Sequence, residues 1–220
     1  MTASLRISPE LRRPVWAAFR RHCHRFVAIG YSEALSRIRR DADEETDITG
    51  YICDALEAWF KRNGKEAVGF FIKDDPPVAS GGKTGKRRPR TDIIISYAAG
   101  ARPEFFIEAK RLHRTKARAA RYTDADGIGC FLSGRYASRY PEVAMLGYVQ
   151  TGTSVEWRDT LQDRVKTNAD TLRLMNIEQT MTFKEALPLE WASSHQREGL
   201  GEVKIFHLLL DCRKSDPAPR

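Results

Sequence analysis

The stretch Arg88–Leu112, RPRTDIIISYAAGARPEFFIEAKRL, decides how this chain is read. Two runs of β character, TDIIISY over 91–97 and EFFIEAK over 104–110, flank a turn centred on Gly100. Their Ile, Phe and Tyr residues suit a pleated, half-buried backbone. Yet FFIEAK carries a carboxylate and an ammonium two residues apart, where a buried strand is expected to be apolar. If the runs pair as an antiparallel hairpin about Gly100, Asp92 falls opposite Glu108. Alternation then sets Glu108 and Lys110 on one face, and Phe105, Ile107 and Ala109 on the other. Three ionisable groups converge at the open end of the hairpin. A register slip of one residue destroys that convergence.

On the residues alone, two readings of Glu108-Ala109-Lys110 are open. A strand-edge pair of this kind is commonly a solvated surface ion pair. It is otherwise a built site, because adjacent carboxylates repel unless a cation neutralises them. Hard oxygen ligands without His or Cys point to Mg²⁺, for which Mn²⁺ can substitute. The Ala109 carbonyl adds another oxygen. Protonated Lys110 cannot ligate, but it can orient an attacking water or help to deprotonate it. A metal lowers the pKa of such a water and stabilises the charge at phosphorus, which is the equipment for phosphodiester hydrolysis.

Outward from the hairpin, the chain alternates helices and strands. SPELRRPVWAAFRRHCHRFVAIG has Ser8 as cap, Pro9 at the first helical position and apolar residues at helical spacing. A second helical piece is expected over 31–40. DADEETDITGYICDALEAWFKRNG (41–64) reads as an amphipathic helix with Ile48, Ile52, Leu56, Trp59 and Phe60 as its stripe. AVGFFIK (67–73) is strand-like, and DDPPVASGGKTGKRRPR (74–90) is an exposed loop. That loop lacks the GxxxxGK[ST] spacing, so Lys83 is loop charge. The segment 116–139 reads as largely helical, 143–150 as a buried strand and 155–168 as a helix. A less regular stretch precedes a closing strand at 203–212. The expected fold class is α/β, with a central mixed sheet flanked by helices. An N-terminal helical segment (1–43) packs on a core (44–212), and 213–220 is a tail.

TDIII with Asp92, followed by FFI-Glu108-Ala109-Lys110, resembles the bipartite motif of the PD-(D/E)XK nuclease superfamily. Thr91 stands where that family most often has Pro. EETDITGYICDAL resembles its first core helix, whose acidic residue reaches the metal site; Glu45 is the choice here and Glu44 the alternative. The resemblance covers about 44–150 and implies a restriction-endonuclease-like core. It further implies an endonuclease that hydrolyses DNA with Mg²⁺. In that reading Asp92, Glu108, the Ala109 carbonyl and Glu45 serve the metal, and Lys110 manages the water. A helix after the hairpin flanks the site, with bases and Tyr122 towards substrate. Relatives act in restriction, phage defence, repair or recombination, and many are homodimers. A homodimer and a protein partner from such a system are therefore expected.

Charge supports a polyanionic partner. The 220 residues carry a net charge of +8, and KTGKRRPR (83–90) and KRLHRTKARAAR (110–121) hold bases without acids. Lys86, Arg87, Arg88, Arg90, Arg111, Lys116, Arg118 and Arg121 are the candidate nucleic-acid contacts, with Arg135 a further phosphate candidate. A solvated basic face is the plainer reading of each. His195 and Arg197, in WASSHQREG, are accessory candidates beside Tyr122, whereas His207 reads as a core histidine. Asp124 and Asp126 read as caps for a helix entering at Gly127. Cys23, Cys53, Cys130 and Cys212 show no CxxC spacing and read as buried thiols. No run approaches the roughly 20 apolar residues of a membrane span, and no secretory h-region opens the chain, so a cytoplasmic protein is expected. Two rivals stand beside the nuclease: a nucleic-acid-binding or assembly subunit that keeps the fold without cleaving, and a structural α/β domain with solvated hairpin charges.

Overall fold

A computed structural model describes residues 9–39, 42–78, 88–98, 102–113, 116–180, 187 and 189–213, with backbone alone for 9–13 and 116–118. Ser8, Lys83, Lys86, Arg87, the Gly100 turn and tail residues 214–220 lie outside that set. Lys116 and Arg118 are known only as backbone.

The chain forms a seven-stranded mixed sheet flanked by helices. In chain order the elements are α1 (Pro9–Ala34), α2 (Glu45–Arg62), β1 (Phe70–Asp74), β2 (Ile93–Tyr97), β3 (Glu104–Leu112), α3 (Lys116–Thr123), α4 (Ile128–Leu132), β4 (Glu142–Val149), α5 (Ser154–Thr167), α6 (Ala169–Leu172), β5 (Leu174–Gln179), β6 (Trp191–Arg197) and β7 (Gly201–Asp211). The strand order is β1-β2-β3-β4-β7-β6-β5. β3, β4 and β7 are parallel at the centre, and antiparallel strands flank them on both sides. Parallel neighbours need crossovers, which α3–α4 supply between β3 and β4.

The hairpin has the expected register: Ile93 faces Ile107 and Ser96 faces Glu104. Its first strand begins at Ile93, two residues later than the sequence suggests. Side chains replace the ladder there: Thr91 Oγ1 donates to the Ile107 carbonyl at 2.9 Å, and Asp92 Oδ2 accepts from Ala109 N–H at 2.6 Å.

Each face of the sheet carries its own core. Ile93, Ile95, Phe105 and Ile107 pack with α1 and α2 through Phe19, Phe26, Ile48, Ile52 and Leu56. Ile94, Phe106, Met145 and Leu209 pack with α3, α4 and α5 through Tyr122, Phe131 and Leu161. α1 is one continuous helix rather than two pieces, and Phe19, Cys23, Phe26 and Val27 bury its inner stripe. Gly30 lets α1 approach α2 closely, since a Cβ there would lie 2.9 Å from the Ile52 carbonyl oxygen. All four cysteines are free and buried.

Two stretches differ from expectation. The 116–139 segment holds two short helices joined by a turn at Asp124–Gly127, because the glycines interrupt the helical periodicity. The less regular stretch before the closing strand contains β5 and β6. β6 is buried at every position but Gln196. Its Ala, Ser and His residues carry little strand signal, so pairing with β7 is what defines it. Among the described residues no helix is long and apolar enough to cross a membrane.

Candidate functional site

β3 runs past the end of β2, so its N–H groups on that edge need other acceptors. Two carboxylates supply them. Asp92 Oδ2 takes Ala109 N–H, and Glu45 Oε2 takes Arg111 N–H at 2.8 Å. Glu45 reaches β3 because it sits in the first turn of α2, which starts where Asp47 accepts the Glu44 N–H at 2.9 Å. Carboxylates in a first turn also suit the helix dipole.

Lys110 lies at the junction. Its Nζ donates to the Ala109 carbonyl at 2.7 Å, to Glu108 Oε1 at 2.8 Å and to Glu45 Oε1 at 3.4 Å. Glu108 is 6% exposed and Lys110 9%. Glu108 Oε2 is buried without a hydrogen-bond partner. Asp92, Glu108, Lys110 and Glu45 are thus brought together, and Glu45 rather than Glu44 meets the lysine.

The electrostatics follow from burial and crowding. Burial pushes Asp92 up to about 6, with Glu45 and Asp75 adding to the rise while Lys110 and the Ala109 N–H oppose it. Burial and then the Asp92 charge push Glu108 up to about 8, against the pull of Lys110. Burial disfavours the Lys110 ammonium, but Glu108, Glu45 and Asp92 outweigh it and hold the lysine protonated above its usual range. Three carboxylates around one ammonium leave the cluster short of positive charge.

That shortage, the orphaned Glu108 oxygen and the purely oxygen donor set fit a hard divalent cation. Among the described residues, no group of three or more His, Cys, Asp or Glu is arranged to hold a metal ion. Two carboxylates and a main-chain carbonyl are the donors the hairpin offers.

A cleft of about 210 Å³ opens beside these groups. α2 and β3 line it with Glu45, Glu108, Lys110 and Arg111, and the α3–β4 segment with Arg121, Asp126, Arg135 and Tyr136. Asp126 does not cap α4; its carboxylate pairs with Arg135 at 2.9 Å. Tyr136 was not legible in the sequence, since a lone aromatic among Gly, Ser and Arg carries no periodic signal.

Several candidates are committed elsewhere. Arg111 is buried, with its guanidinium on Gln150 and Glu44, which corrects its reading as an exposed nucleic-acid contact. Arg90 pairs with Asp75 at 2.6 Å on the surface, and Arg88 is half-buried next to the Pro77–Arg90 bridge. Tyr122, His195 and Arg197 do not line the cleft. Arg197 donates to the carbonyls of Ala137 at 3.1 Å and Tyr140 at 3.3 Å, and so ties down the turn before β4. Tyr122 and His195 belong to a buried chain. Tyr122 Oη lies 3.0 Å from His207 Nδ1, and His207 Nε2 lies 2.8 Å from Ser193 Oγ. Ser193 Oγ is 2.7 Å from His195 Nε2, and His195 Nδ1 is 2.8 Å from the Leu172 carbonyl. His195 is turned inward by β6, a strand the sequence does not announce, paired between β5 and β7; Tyr122 is turned inward from α3, and His207 is the core histidine expected. No protein-family model matches the chain, and neither a curated protein nor a solved structure matches it.

Proposed function

We propose that the chain is a Mg²⁺-dependent endonuclease that hydrolyses DNA phosphodiester bonds on a restriction-endonuclease-like core. The observation that carries this reading is the meeting of Glu108, Lys110 and Glu45 beside Asp92 at the open end of one hairpin. The elements the resemblance calls for are present in order: a first helix with an acidic residue, a hairpin bearing Asp and Glu-Ala-Lys, and a helix after it.

Mg²⁺, held by Asp92, Glu108 and the Ala109 carbonyl, would lower the pKa of a water and stabilise the charge developing at phosphorus. Lys110 orients that water through its ammonium donors. Glu45 holds the lysine at the cleft. Arg121 and Arg135, on the other side of the cleft, are placed to neutralise phosphate oxygens, and Arg135 would leave Asp126 to do so. A duplex with its many phosphates suits the clustered bases of this +8 chain. A role in restriction, phage defence or DNA processing, a homodimer and a protein partner remain part of the proposal.

One observation favours a second reading, a nucleic-acid-binding or assembly subunit that does not cleave. The Lys110 ammonium already occupies the oxygens of Glu108 and Ala109, so the cluster neutralises part of its own charge. Cleavage assays separate the two. Plasmid, linear and single-stranded DNA, and RNA, are incubated in Mg²⁺, Mn²⁺ or EDTA, with Asp92→Ala and Lys110→Ala alongside. The nuclease reading expects metal-dependent cleavage lost in both variants. Cleavage that persists in EDTA or in both variants sinks it, and binding without cleavage in every metal selects the second reading.

A further inference from the structure

Glu45 is the one member of the cluster that does not come from the hairpin, so α2 must be held at a set distance from β3. The segment leading into α2 is tied to the ends of β3 and β4 residue by residue. Arg111, 6% exposed and next to Lys110, donates its backbone N–H to Glu45 and its Nη1 to Glu44, and directs Nε to Gln150 Oε1. Gln150, fully buried just beyond β4, donates Nε2 to the Asp43 carbonyl at 3.0 Å. Its own N–H donates to the Leu112 carbonyl at 3.0 Å, which joins the two strand ends. The buried Asp43 carboxylate in turn accepts from Arg39 N–H at 2.6 Å and from Arg39 Nε at 2.9 Å.

We propose that Arg111 and Gln150 are positioning residues that set the Glu45 carboxylate against Lys110; the catalytic consequence rests on the nuclease reading above. The chemistry is specific to an amide. Gln150 offers a carbonyl oxygen to the guanidinium and, at the same time, an N–H to a main-chain carbonyl. A carboxylate in its place keeps the first bond and loses the second, and an apolar residue loses both. Arg111 itself is a poor substrate contact. A phosphate would have to displace Glu44 from a guanidinium whose other side is held in the interior, whereas Arg121 is exposed on the cleft. Partners that orient a site's first layer of groups typically change metal affinity or activity by about 10- to 100-fold when removed.

The test uses the full chain with Gln150→Leu, Gln150→Glu and Arg111→Lys. Amide hydrogen exchange at Arg111 is followed without metal or DNA, and cleavage kinetics and Mn²⁺ titration are followed separately. Gln150→Leu is expected to speed exchange at the Arg111 amide. It should also lower kcat about 10- to 100-fold, with KM for DNA and the salt dependence of binding unchanged. Gln150→Glu, which keeps the acceptor for Arg111 but loses the donor to the Asp43 carbonyl, should recover only part of kcat. The proposal is overturned if Gln150→Leu lowers the melting temperature while kcat and Arg111 exchange stay as in the wild type. It is equally overturned if Arg111→Lys keeps kcat but raises KM and lowers the salt slope by about one, the mark of a phosphate contact. If the wild type cleaves nothing and binds no Mn²⁺, the nuclease reading fails and exchange alone decides the brace. Faster exchange at Arg111 in Gln150→Leu then upholds it, and unchanged exchange overturns it.

Discussion

Two of the buried polar clusters among the described residues are built to opposite rules. In the chain from Tyr122 to Leu172, every donor meets an acceptor. The Leu172 carbonyl can only accept, so His195 Nδ1 must carry a proton. His195 Nε2 then accepts from Ser193, Ser193 accepts from His207 Nε2–H, and His207 Nδ1 accepts from Tyr122. Trp191 stacks on the His207 ring at 3.6 Å, and its own buried indole N–H, outside this chain, has no hydrogen-bond partner. Burial holds both histidines below their usual pKa, and hence neutral. At the Asp92–Glu108–Lys110–Glu45 cluster, carboxylates outnumber the ammonium, one oxygen has no partner, and two pKa values are pushed upward. A satisfied network specifies a fold. An unsatisfied one beside a cleft marks a candidate binding or catalytic site.

The largest expected contrast is in activity. Lys110→Ala should lower plasmid cleavage by about 100- to 10,000-fold, the scale of losing a positioned proton-handling group. Tyr122→Phe should leave the rate per folded molecule as it is. Equal losses in both would erase the distinction between the clusters.

The pH dependence of stability should separate them next. In metal-free protein Glu108 moves from an ordinary 4.5 to about 8. Between those values the native state binds more protons than the unfolded chain, so stability falls as pH rises. Asp92, moved from 3.8 to about 6, adds to the same slope. His195 and His207 act in the other sense. Below 6.5 the unfolded chain binds the extra protons, so their contribution is lost as pH falls. Denaturant midpoints in EDTA should therefore fall as pH rises from about 6.5 to 8, whereas below 6.5 the carboxylates and the histidines oppose each other. Mg²⁺ should flatten that fall, by binding ionised carboxylates. A Glu108→Gln variant should flatten it without metal.

Smaller effects sharpen the contrast from the satisfied side. Tyr122→Phe leaves the buried His207 Nδ1 unpaired, and Ser193→Ala cuts the chain in the middle. Each should cost about 1–3 kcal/mol in urea unfolding. A result near zero would mean that the chain has slack. The smallest effect is a remote control. Thr153 caps α5 by accepting the Glu156 N–H at 3.1 Å, and Thr153→Ala should cost about 1 kcal/mol without altering the pH dependence.

The hairpin part of the candidate site was legible in the sequence because Asp92, Glu108 and Lys110 are close along the chain. The turn about Gly100 and the period of two in FFIEAK set which residues oppose and which share a face. An amphipathic stripe over 41–64, with the resemblance of EETDITGYICDAL to a first core helix, pointed to Glu45 or Glu44 at the start of α2. The buried chain was not legible in the same way. Tyr122, Ser193, His195 and His207 come from a helix and two strands up to 85 residues apart, and β6 has no pattern of its own. Charge misled for Arg111: a base in a basic run reads as surface until its partners Gln150 and Glu44 are seen across β4 and α2.

The amino-acid sequence by itself determined the hairpin, its register and the set of charges at its open end, since turns and alternation are local properties of the backbone. Only tertiary structure decided that Glu45 rather than Glu44 meets Lys110, that Arg111 is a brace, and that Tyr122 and His195 face inward. Those outcomes depend on β3, β4 and β7 lying side by side, and pairing between distant segments is chosen by the whole core rather than by any one stretch.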